Sequence, residues 1–423
     1  MTCTRFLYTL LFYALLPIIL LRLLWRSRKA SGYRRRWAER FGFFNFKSNK
    51  PAIWVHAVSV GETIAAVPLI KSLQREYPDH QIVVTTTTPT GSDRVTSLFG
   101  NEVFHVFAPY DTPGSVKRFL RRVKPEKAII METELWPNTI YYCHQFGVSV
   151  IVANARLSAR SARGYQRFAG LTREMLRFVT AIAAQNPVDG QRFIDVGLDK
   201  NKLQITGSIK FDLTISDALR NSAQTLKNSW SFDGVRCVLI AASIHEGEDA
   251  IIIDAFIELL KRHSRLLLIL VPRHPERFQA VVQLCEKRNL KVQQRSTGEP
   301  LLEHTQVLVG DTMGELMLLL GAADIAFIGG SLIPRGGHNM LEPAAWQLPI
   351  LSGPHTFNFA EISQLLQRAN ALQWVNNASE VAEKCGELIA QPNRRQQMGQ
   401  AAGLVVEQNR GALLKLLNVI RSC

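Results

Sequence analysis

Short apolar runs alternate with longer amphipathic stretches along the chain after Pro51. Six runs of strand length, separated by helix-length segments, lie at 52–58, 82–88, 103–108, 128–134, 148–155 and 181–186. A second series lies at 235–244, 266–272, 307–311, 325–331 and 349–353. Apolar runs of this length with helices between them are typical of parallel sheets covered on both faces. The pattern therefore predicts an α/β protein with two Rossmann-like domains.

The polar segment 211–234, which has no strong strand pattern, predicts the connection between these domains. The first domain is then expected at 51–222 and the second at 223–423, the second ending in an amphipathic helix over about 394–420. Ligands of open α/β sheets bind beyond the carboxyl ends of the strands. We therefore expect the two domains to face each other across a cleft, with functional residues just after strands.

The amino terminus predicts a membrane anchor. Between Phe6 and Trp25 only Arg22 is fully charged, and about 20 apolar residues are enough for a spanning helix. We assign 1–27 to the anchor helix and 28–50 to a basic juxtamembrane segment, which the positive-inside rule keeps in the cytoplasm. A cleaved signal peptide fits less well, because a basic run follows the apolar stretch. A helix lying obliquely in the inner leaflet is the third interpretation.

Charge is concentrated at the same end of the chain. The formal net charge is +15, and residues 1–50 hold eleven basic residues and one acidic residue, so the other 373 residues carry only +5. We expect anionic membrane lipids to be partners. Nucleic acid is not expected, since no aromatic stacking platform or nucleic-acid module accompanies the arginines. Apolar residues make up 47% of the chain, which excludes a mainly disordered protein.

Glu62 is the first candidate catalytic residue. It follows the run 52–58 in the sequence HAVSVGET, where Gly61 allows a tight turn at the start of a helix. A carboxylate in this place could act as a general base. It could also simply complement the helix dipole, as acidic residues of a first turn commonly do.

Glu132 and Glu134 lie in METELWPN, at the end of the run 128–134. Alternation along a strand would put both carboxylates on one side, which is unusual in a strand buried on both faces. They could bind hydroxyl groups, orient a cation or tune each other's acidity. The alternative is a structural ion pair with a neighbouring arginine.

Arginines are concentrated between Arg156 and Arg177, where six of them accompany one acidic residue. Because guanidinium groups bind phosphate in a bidentate manner, this segment predicts an anionic ligand. A solvated basic helix face is the alternative.

Three motifs of the second half place glycines and polar residues after strands, namely VPRHPERF, GDTMGEL and GGSLIPRGGHNMLEPAAW. Glycines let backbone amides approach a phosphate, and a carboxylate can hold ribose hydroxyls. A nucleotide site is therefore predicted, although neither GxGxxG nor a Walker lysine pattern occurs. The spacing of histidines and cysteines does not indicate a metal site.

Together these motifs resemble the 3-deoxy-D-manno-octulosonic acid (Kdo) transferases of lipopolysaccharide biosynthesis, inverting glycosyltransferases with the two-domain fold called GT-B. The resemblance runs from end to end and also includes TTTTPTG, ARLSARS and GSIKFD. Small departures occur at Ser208, often Asn in relatives, and before His245, where Thr is usual.

The resemblance implies transfer of one or more Kdo residues from CMP-Kdo to the 6′-hydroxyl of lipid IVA at the bacterial inner membrane, without a cofactor or metal. Glu62 would be the general base, and Glu132 and Lys210 would stabilise the transition state. The CMP pocket would be lined by Pro272, Arg273, Met313, Gly314, Glu315, Asn339, Met340, Leu341 and Glu342. The phosphates of the acceptor would be bound by Arg156, Arg160 and Arg163.

Two other functions fit part of this pattern. One is a membrane-associated GT-B enzyme that uses a uridine or guanosine sugar. The other is a membrane-tethered binding protein without catalysis, against which the carboxylates of Glu62 and Glu132 count.

Overall fold

The computed structural model describes residues 3–28, 31–34, 36–230 and 236–423. Residues 1–2 of the predicted anchor, residues 29, 30 and 35 of the predicted basic segment, residues 231–234 of the predicted connection and residue 235 lie outside the described residues. The chain divides into two compact units. Unit 1 contains Met1–Asp212 and Arg410–Cys423, and unit 2 contains Leu213–Asn409.

Unit 1 is built on a parallel sheet of seven strands in the order β3-β2-β1-β4-β5-β6-β7. Its strands are β1 (Ala52–His56), β2 (Gln81–Thr86), β3 (Phe104–Phe107), β4 (Pro125–Met131), β5 (Ser149–Ala155), β6 (Ala181–Ala184) and β7 (Leu203–Ile205). Its helices up to residue 212 are α1 (Cys3–Arg26), α2 (Trp37–Arg40), α3 (Val60–Glu76), α4 (Pro89–Phe99), α5 (Pro113–Val123), α6 (Pro137–Gln145), α7 (Ala159–Arg167), α8 (Ala169–Arg177) and α9 (Pro187–Asp195).

Unit 2 has a second parallel sheet, in the order β10-β11-β9-β8-β12-β13-β14. Its strands are β8 (Val238–Ile244), β9 (Leu267–Pro272), β10 (Val292–Gln294), β11 (Val307–Val309), β12 (Ile325–Ile328), β13 (Ile350–Ser352) and β14 (Leu372–Trp374). Its helices are α10 (Asp217–Trp230), α11 (Glu248–Leu260), α12 (Phe278–Lys287), α13 (Leu316–Gly321), α14 (Leu341–Ala345), α15 (Ala360–Arg368), α16 (Ala378–Ala390) and α17 (Pro392–Gln408). The chain then returns to unit 1 as α18 (Ala412–Ser422).

Local sequence explains where these elements begin. All five residues of β1 are buried, as expected for a central strand covered on both faces. In unit 1, α3, α4, α5, α7 and α9 each begin after a Ser, Thr or Asn whose side chain accepts a hydrogen bond from the amide three residues later. Such caps satisfy amides that a helix leaves free, and they fix the exit of the chain from each strand.

The predicted α/β architecture with two parallel sheets is confirmed, and each predicted apolar run contains a strand. The prediction missed β7, β10 and β14, three-residue strands with the sequences LQI, VQQ and LQW. Each is the last strand at an edge of its sheet. Most of the predicted connection is helical, because α10 occupies 217–230 of it and buries Trp230.

The end of the chain differs from the predicted single helix in the second domain. Gly411 has a left-handed backbone (φ +89°) that separates α17 from α18, a conformation that glycine adopts readily. The Asp212 carboxylate accepts hydrogen bonds from the amides of Gly411 (2.6 Å) and Leu413 (2.5 Å). Leu416 and Ile420 are buried in the same apolar cluster as residues of β1, so α18 completes unit 1.

Helix α1 is long and apolar enough to cross a membrane by length and composition. Its amino-terminal half also contacts the rest of unit 1 through polar side chains. The Tyr8 hydroxyl donates to the Asp111 carboxylate (2.8 Å), and the Thr9 hydroxyl hydrogen-bonds to Asn138 (3.2 Å). Arg5 lies 3.4 Å from the Glu174 carboxylate. Many apolar side chains of α1 are exposed, namely Phe6, Leu7, Leu10, Leu11, Ile18, Leu21 and Trp25.

Candidate active site

Glu62 lies in the first turn of α3, immediately after β1. Ser59 caps this helix, and its hydroxyl accepts a hydrogen bond from the Glu62 amide (3.3 Å). The Glu62 carboxylate in turn accepts from the Ser59 hydroxyl (2.9 Å) and from the Val58 amide (2.8 Å). This reciprocal arrangement is a variant of the capping box. It holds the carboxylate in one orientation in the first turn of α3, where it can also complement the helix dipole, the alternative considered from the sequence.

The acidity of Glu62 is unusual for a capping residue. The side chain is half-buried, and loss of water around the carboxylate raises its pKa to about 7, assisted by the charges of Glu132 and Glu134. The two hydrogen bonds act in the opposite direction but do not cancel this effect. A carboxyl group that titrates near neutral pH is suited to remove a proton from a bound hydroxyl.

Glu132 does not lie on a strand, which corrects the alternation argument for Glu132 and Glu134. β4 ends at Met131, and Glu132 has a left-handed backbone with φ +56°, which is uncommon for a residue with a side chain. Its amide donates to the Ala153 carbonyl oxygen at 2.9 Å. The two carboxylates are therefore presented by a turn beyond the sheet. Burial raises the pKa of Glu134, whose carboxylate accepts from the Trp136 indole at 3.1 Å.

The ammonium group of Lys210 lies 3.6 Å from the Glu132 carboxylate. The two residues to which the family resemblance assigns stabilisation of the transition state are therefore close together. Lys210 is in a 3₁₀ turn, Ile209–Phe211. The Ile209 amide donates to the side-chain oxygen of Asn154 (3.2 Å), which is fully buried at the end of β5 and left-handed (φ 52°). Asn154 therefore positions the turn that carries Lys210. Sequence reasoning missed it, because an Asn inside an apolar run gives no signal of this contact.

Arg156, Arg160 and Arg163 are all exposed. Arg156 follows β5, and its carbonyl oxygen accepts a hydrogen bond from the Thr133 hydroxyl, between the two acidic residues of the turn. Arg160 and Arg163 lie on α7. These contacts place the backbone of Arg156 beside the carboxylates and leave the guanidinium groups of α7 in solvent.

In unit 2, Arg273 follows β9, and Glu342 lies in the first turn of α14. The Asn339 amide group donates to the Glu342 carboxylate at 3.1 Å. Burial raises the pKa of Glu342, while Asn339 and Arg273 oppose this shift. Arg273 is therefore near Glu342. The adjacent Met340 and Leu341 are fully buried.

The predicted residues Met313, Gly314 and Glu315 form a turn before α13. Met313 is 71% exposed, and Gly314 is left-handed with φ +87°. The Glu315 carboxylate is held by Arg295 through two hydrogen bonds of 3.1 Å, and Arg295 lowers the pKa of this carboxyl group. Sequence reasoning did not identify Arg295, which lies after the missed strand β10.

The glycine-rich loop after β12 does not have its first amides free for a phosphate, contrary to the role suggested by the sequence. Glu248 is fully buried. Its carboxylate accepts hydrogen bonds from the amides of Gly330 (2.6 Å), Ser331 (2.8 Å) and Leu332 (2.8 Å). The His245 amide donates to the same carboxylate at 3.0 Å. Glu248 thus takes the place that an anionic ligand would have in this loop.

The described residues contain no group of three or more His, Cys, Asp or Glu side chains arranged to hold a metal ion. The expectation of a reaction without a metal or cofactor stays a prediction.

The two sheets with their flanking helices give the chain the architecture of a GT-B glycosyltransferase. A glycosyltransferase from Rickettsia africae has a similar fold, with a TM-score of 0.56 at 13% identity over 89% of this chain and 99% of that chain. A UDP-GlcNAc 2-epimerase from Neisseria meningitidis also has it, with a TM-score of 0.55 at 16% identity over 86% of this chain and 100% of that chain. Since an epimerase shares the fold, the fold alone does not define the reaction.

Sequence comparison makes the assignment specific. The family model of 3-deoxy-D-manno-octulosonic-acid transferase (kdotransferase) matches residues 35–213. A 3-deoxy-D-manno-octulosonic acid transferase of Haemophilus influenzae is 45% identical over 99% of this chain and 98% of its own length. One from Bordetella pertussis is 36% identical over 98% of both chains. The chain belongs to the 3-deoxy-D-manno-octulosonic acid transferase family and is a glycosyltransferase, as the resemblance of its motifs indicated.

Glu248→Ala is expected to destabilise the chain by about 2–5 kcal/mol, because three amides of the loop after β12 lose their acceptor while buried. Urea unfolding of the full chain measures this. The matched control is Glu276→Ala, whose side chain is 74% exposed and should change stability by less than about 0.5 kcal/mol. Equal stabilities of the two variants would show that Glu248 does not hold the loop.

Proposed function

We propose that the protein transfers Kdo from CMP-Kdo to the 6′-hydroxyl of lipid IVA, with inversion at the anomeric carbon, in lipopolysaccharide biosynthesis. One or more Kdo residues are added. Family membership supports the transferred sugar and the reaction class, since relatives that bear this activity in their names match nearly the whole chain. The observation that carries the mechanism is the half-buried, hydrogen-bonded carboxyl group of Glu62, whose pKa of about 7 suits a general base.

In the proposed reaction the Glu62 carboxylate accepts the proton of the acceptor hydroxyl. The hydroxyl oxygen forms a bond to the anomeric carbon of Kdo, while the bond from that carbon to the phosphate oxygen breaks. CMP leaves with the electron pair of that bond. The ammonium group of Lys210 supplies a positive charge while negative charge develops on the phosphate of the departing CMP. Glu132, whose carboxylate lies 3.6 Å from this ammonium group, holds it in place.

The donor is assigned to unit 2 and the acceptor to unit 1. Arg273, Glu315, Asn339 and Glu342 offer polar side chains for CMP, and Pro272, Met313, Gly314, Met340 and Leu341 complete the proposed pocket. Arg156, Arg160 and Arg163 are exposed cations suited to the phosphates of lipid IVA. No metal is needed in this scheme, because guanidinium and ammonium groups neutralise the phosphate charge.

We place the enzyme on the cytoplasmic face of the inner membrane, held by α1 and by attraction of its basic segment to anionic lipids. The contacts of α1 favour a helix that lies in the inner leaflet. In a spanning helix with the body at its carboxyl end, Arg5 and Tyr8 would lie roughly 30 Å from the body. Instead Arg5 contacts Glu174, and Tyr8 contacts Asp111. The exposed apolar side chains of α1 would then insert among the acyl chains.

Glu62→Gln is expected to lower kcat at least a hundredfold, because an amide cannot accept the proton. The affinity for CMP should stay within about twofold, since the nucleotide is assigned to unit 2. A transfer assay with lipid IVA and CMP-Kdo, combined with CMP titration, measures both. The control is the exposed Glu102→Gln, which should retain full activity. Full activity of Glu62→Gln would remove Glu62 from the chemistry.

The rate should depend on pH through Glu62. The base works in its ionised form, so kcat/KM should rise as the pH increases toward about 7 and become constant above it. Glu134→Gln removes a negative charge that raises the Glu62 pKa, so the midpoint of this rise should move to lower pH. The same profile for Glu102→Gln should not move. An unchanged midpoint in Glu134→Gln would contradict the assignment of the titrating group.

The exposed thiol of Cys3 reports the position of α1. If α1 lies in the inner leaflet, a membrane-impermeant maleimide added to spheroplasts should not label the Cys3 peptide, whereas labelling should follow membrane disruption. Mass spectrometry of that peptide measures the modification, with Cys3→Ser as the blank. Labelling of Cys3 in sealed spheroplasts would demonstrate a spanning helix instead.

A further inference from the structure

Three histidine rings meet beyond the sheet of unit 2. His245 follows β8, His274 follows β9, and His338 precedes α14. The rings of His245 and His338 are parallel, with an angle of 6° and centroids 5.1 Å apart. The His274 ring meets His245 edge-on, with centroids 5.3 Å apart. The three rings therefore form one cluster beyond the carboxyl ends of β8 and β9.

The contact between His245 and His338 is a close approach of two ring nitrogens. Their Nε2 atoms lie 2.8 Å apart, which is a hydrogen-bond distance. One nitrogen must therefore donate and the other accept, so at least one of the rings is neutral. If both Nε2 atoms carried hydrogen, they would repel each other unless an oxygen with two lone pairs accepted from both.

The surroundings of the pair are cationic. Burial lowers the pKa of His338 to about 4, with further lowering by Arg273, His245 and His274. Burial also lowers the pKa of His245, to which His274, Arg335 and Arg273 contribute, while Glu248 opposes them. The Glu248 carboxylate is already used by four backbone amides. An incoming oxyanion would therefore be attracted to this place.

The neighbouring backbone supports the same conclusion. Gly330 is left-handed (φ +68°), and a Cβ atom there would lie 3.1 Å from the His338 ring. The absence of a side chain at Gly330 thus leaves space for the His338 ring. Because Glu248 occupies the amides of Gly330, Ser331 and Leu332, these three amides are not available to a phosphate, whereas the two histidine side chains offer ring nitrogens beside them.

We propose that His245 and His338, together with Arg273, form the subsite that binds the phosphate group of the cytidine nucleotide. One phosphate oxygen accepts hydrogen bonds from the two Nε2–H groups and replaces the contact between the rings, and Arg273 adds a charged donor. This assignment rests on the proposed donor CMP-Kdo and adds two residues to its pocket. The sequence alone offers these histidines only as metal ligands, and their spacing does not favour that role.

The test compares CMP with cytidine, which lacks the phosphate, by isothermal titration of the full chain in detergent. The wild type should prefer CMP. His245→Ala and His338→Ala should each reduce this preference about tenfold or more, as expected for loss of a hydrogen bond to a charged group, and leave cytidine binding unchanged. Arg273→Ala should also reduce the preference for CMP over cytidine. His338→Gln keeps an N–H donor and should recover part of the preference, whereas the exposed His304→Ala should have no effect.

Several outcomes would overturn the proposal. An unchanged preference in both alanine variants, or an equal loss of CMP and cytidine binding, would leave the pair a purely structural role. An unchanged preference with a raised KM for CMP-Kdo would instead assign the pair to the sugar carboxylate, and so refute the phosphate contact. Failure of the wild type to bind CMP would contradict the proposed donor itself, which separates that failure from failure of this subsite.

Discussion

The structure depends on how buried carboxylates are satisfied at the start of one helix in each unit. A carboxylate removed from water is stable only when donors surround it. Glu62 receives two hydrogen bonds and stays half-buried, and its pKa is raised. Glu248, in the equivalent place after β8, receives four and is fully buried. A carboxylate at the start of a helix thus has a raised pKa in unit 1 and is a structural connection in unit 2.

The sequence was sufficient for the parts of the fold that depend on long apolar runs, such as β1 and β8. It was insufficient where the structure is decided by tertiary contacts. The edge strands β7, β10 and β14 are short and partly polar, and they form because a neighbouring strand offers hydrogen-bonding groups. The break at Gly411 was missed because the amphipathic pattern continues on both sides of it.

The candidate site was predicted in part for similar reasons. Strand ends and acidic residues indicated Glu62, and the resemblance to a family indicated Lys210, whose pairing with Glu132 depends on Asn154. A left-handed residue such as Glu132 or Asn154 cannot be read from composition. The role of Glu248 was not predicted either, because the sequence HEGED does not show whether this acidic side chain is buried or exposed. Contacts between distant segments therefore decide most of what the sequence left open.

The return of the chain to unit 1 has a consequence for synthesis. Unit 2 is one continuous segment, whereas the apolar cluster of unit 1 needs Leu416 and Ile420 from α18. During translation, all of unit 2 is made before these residues exist. Unit 2 can therefore reach its final structure while unit 1 still exposes part of its core, and that uncovered surface is where a chaperone would be needed until α18 arrives.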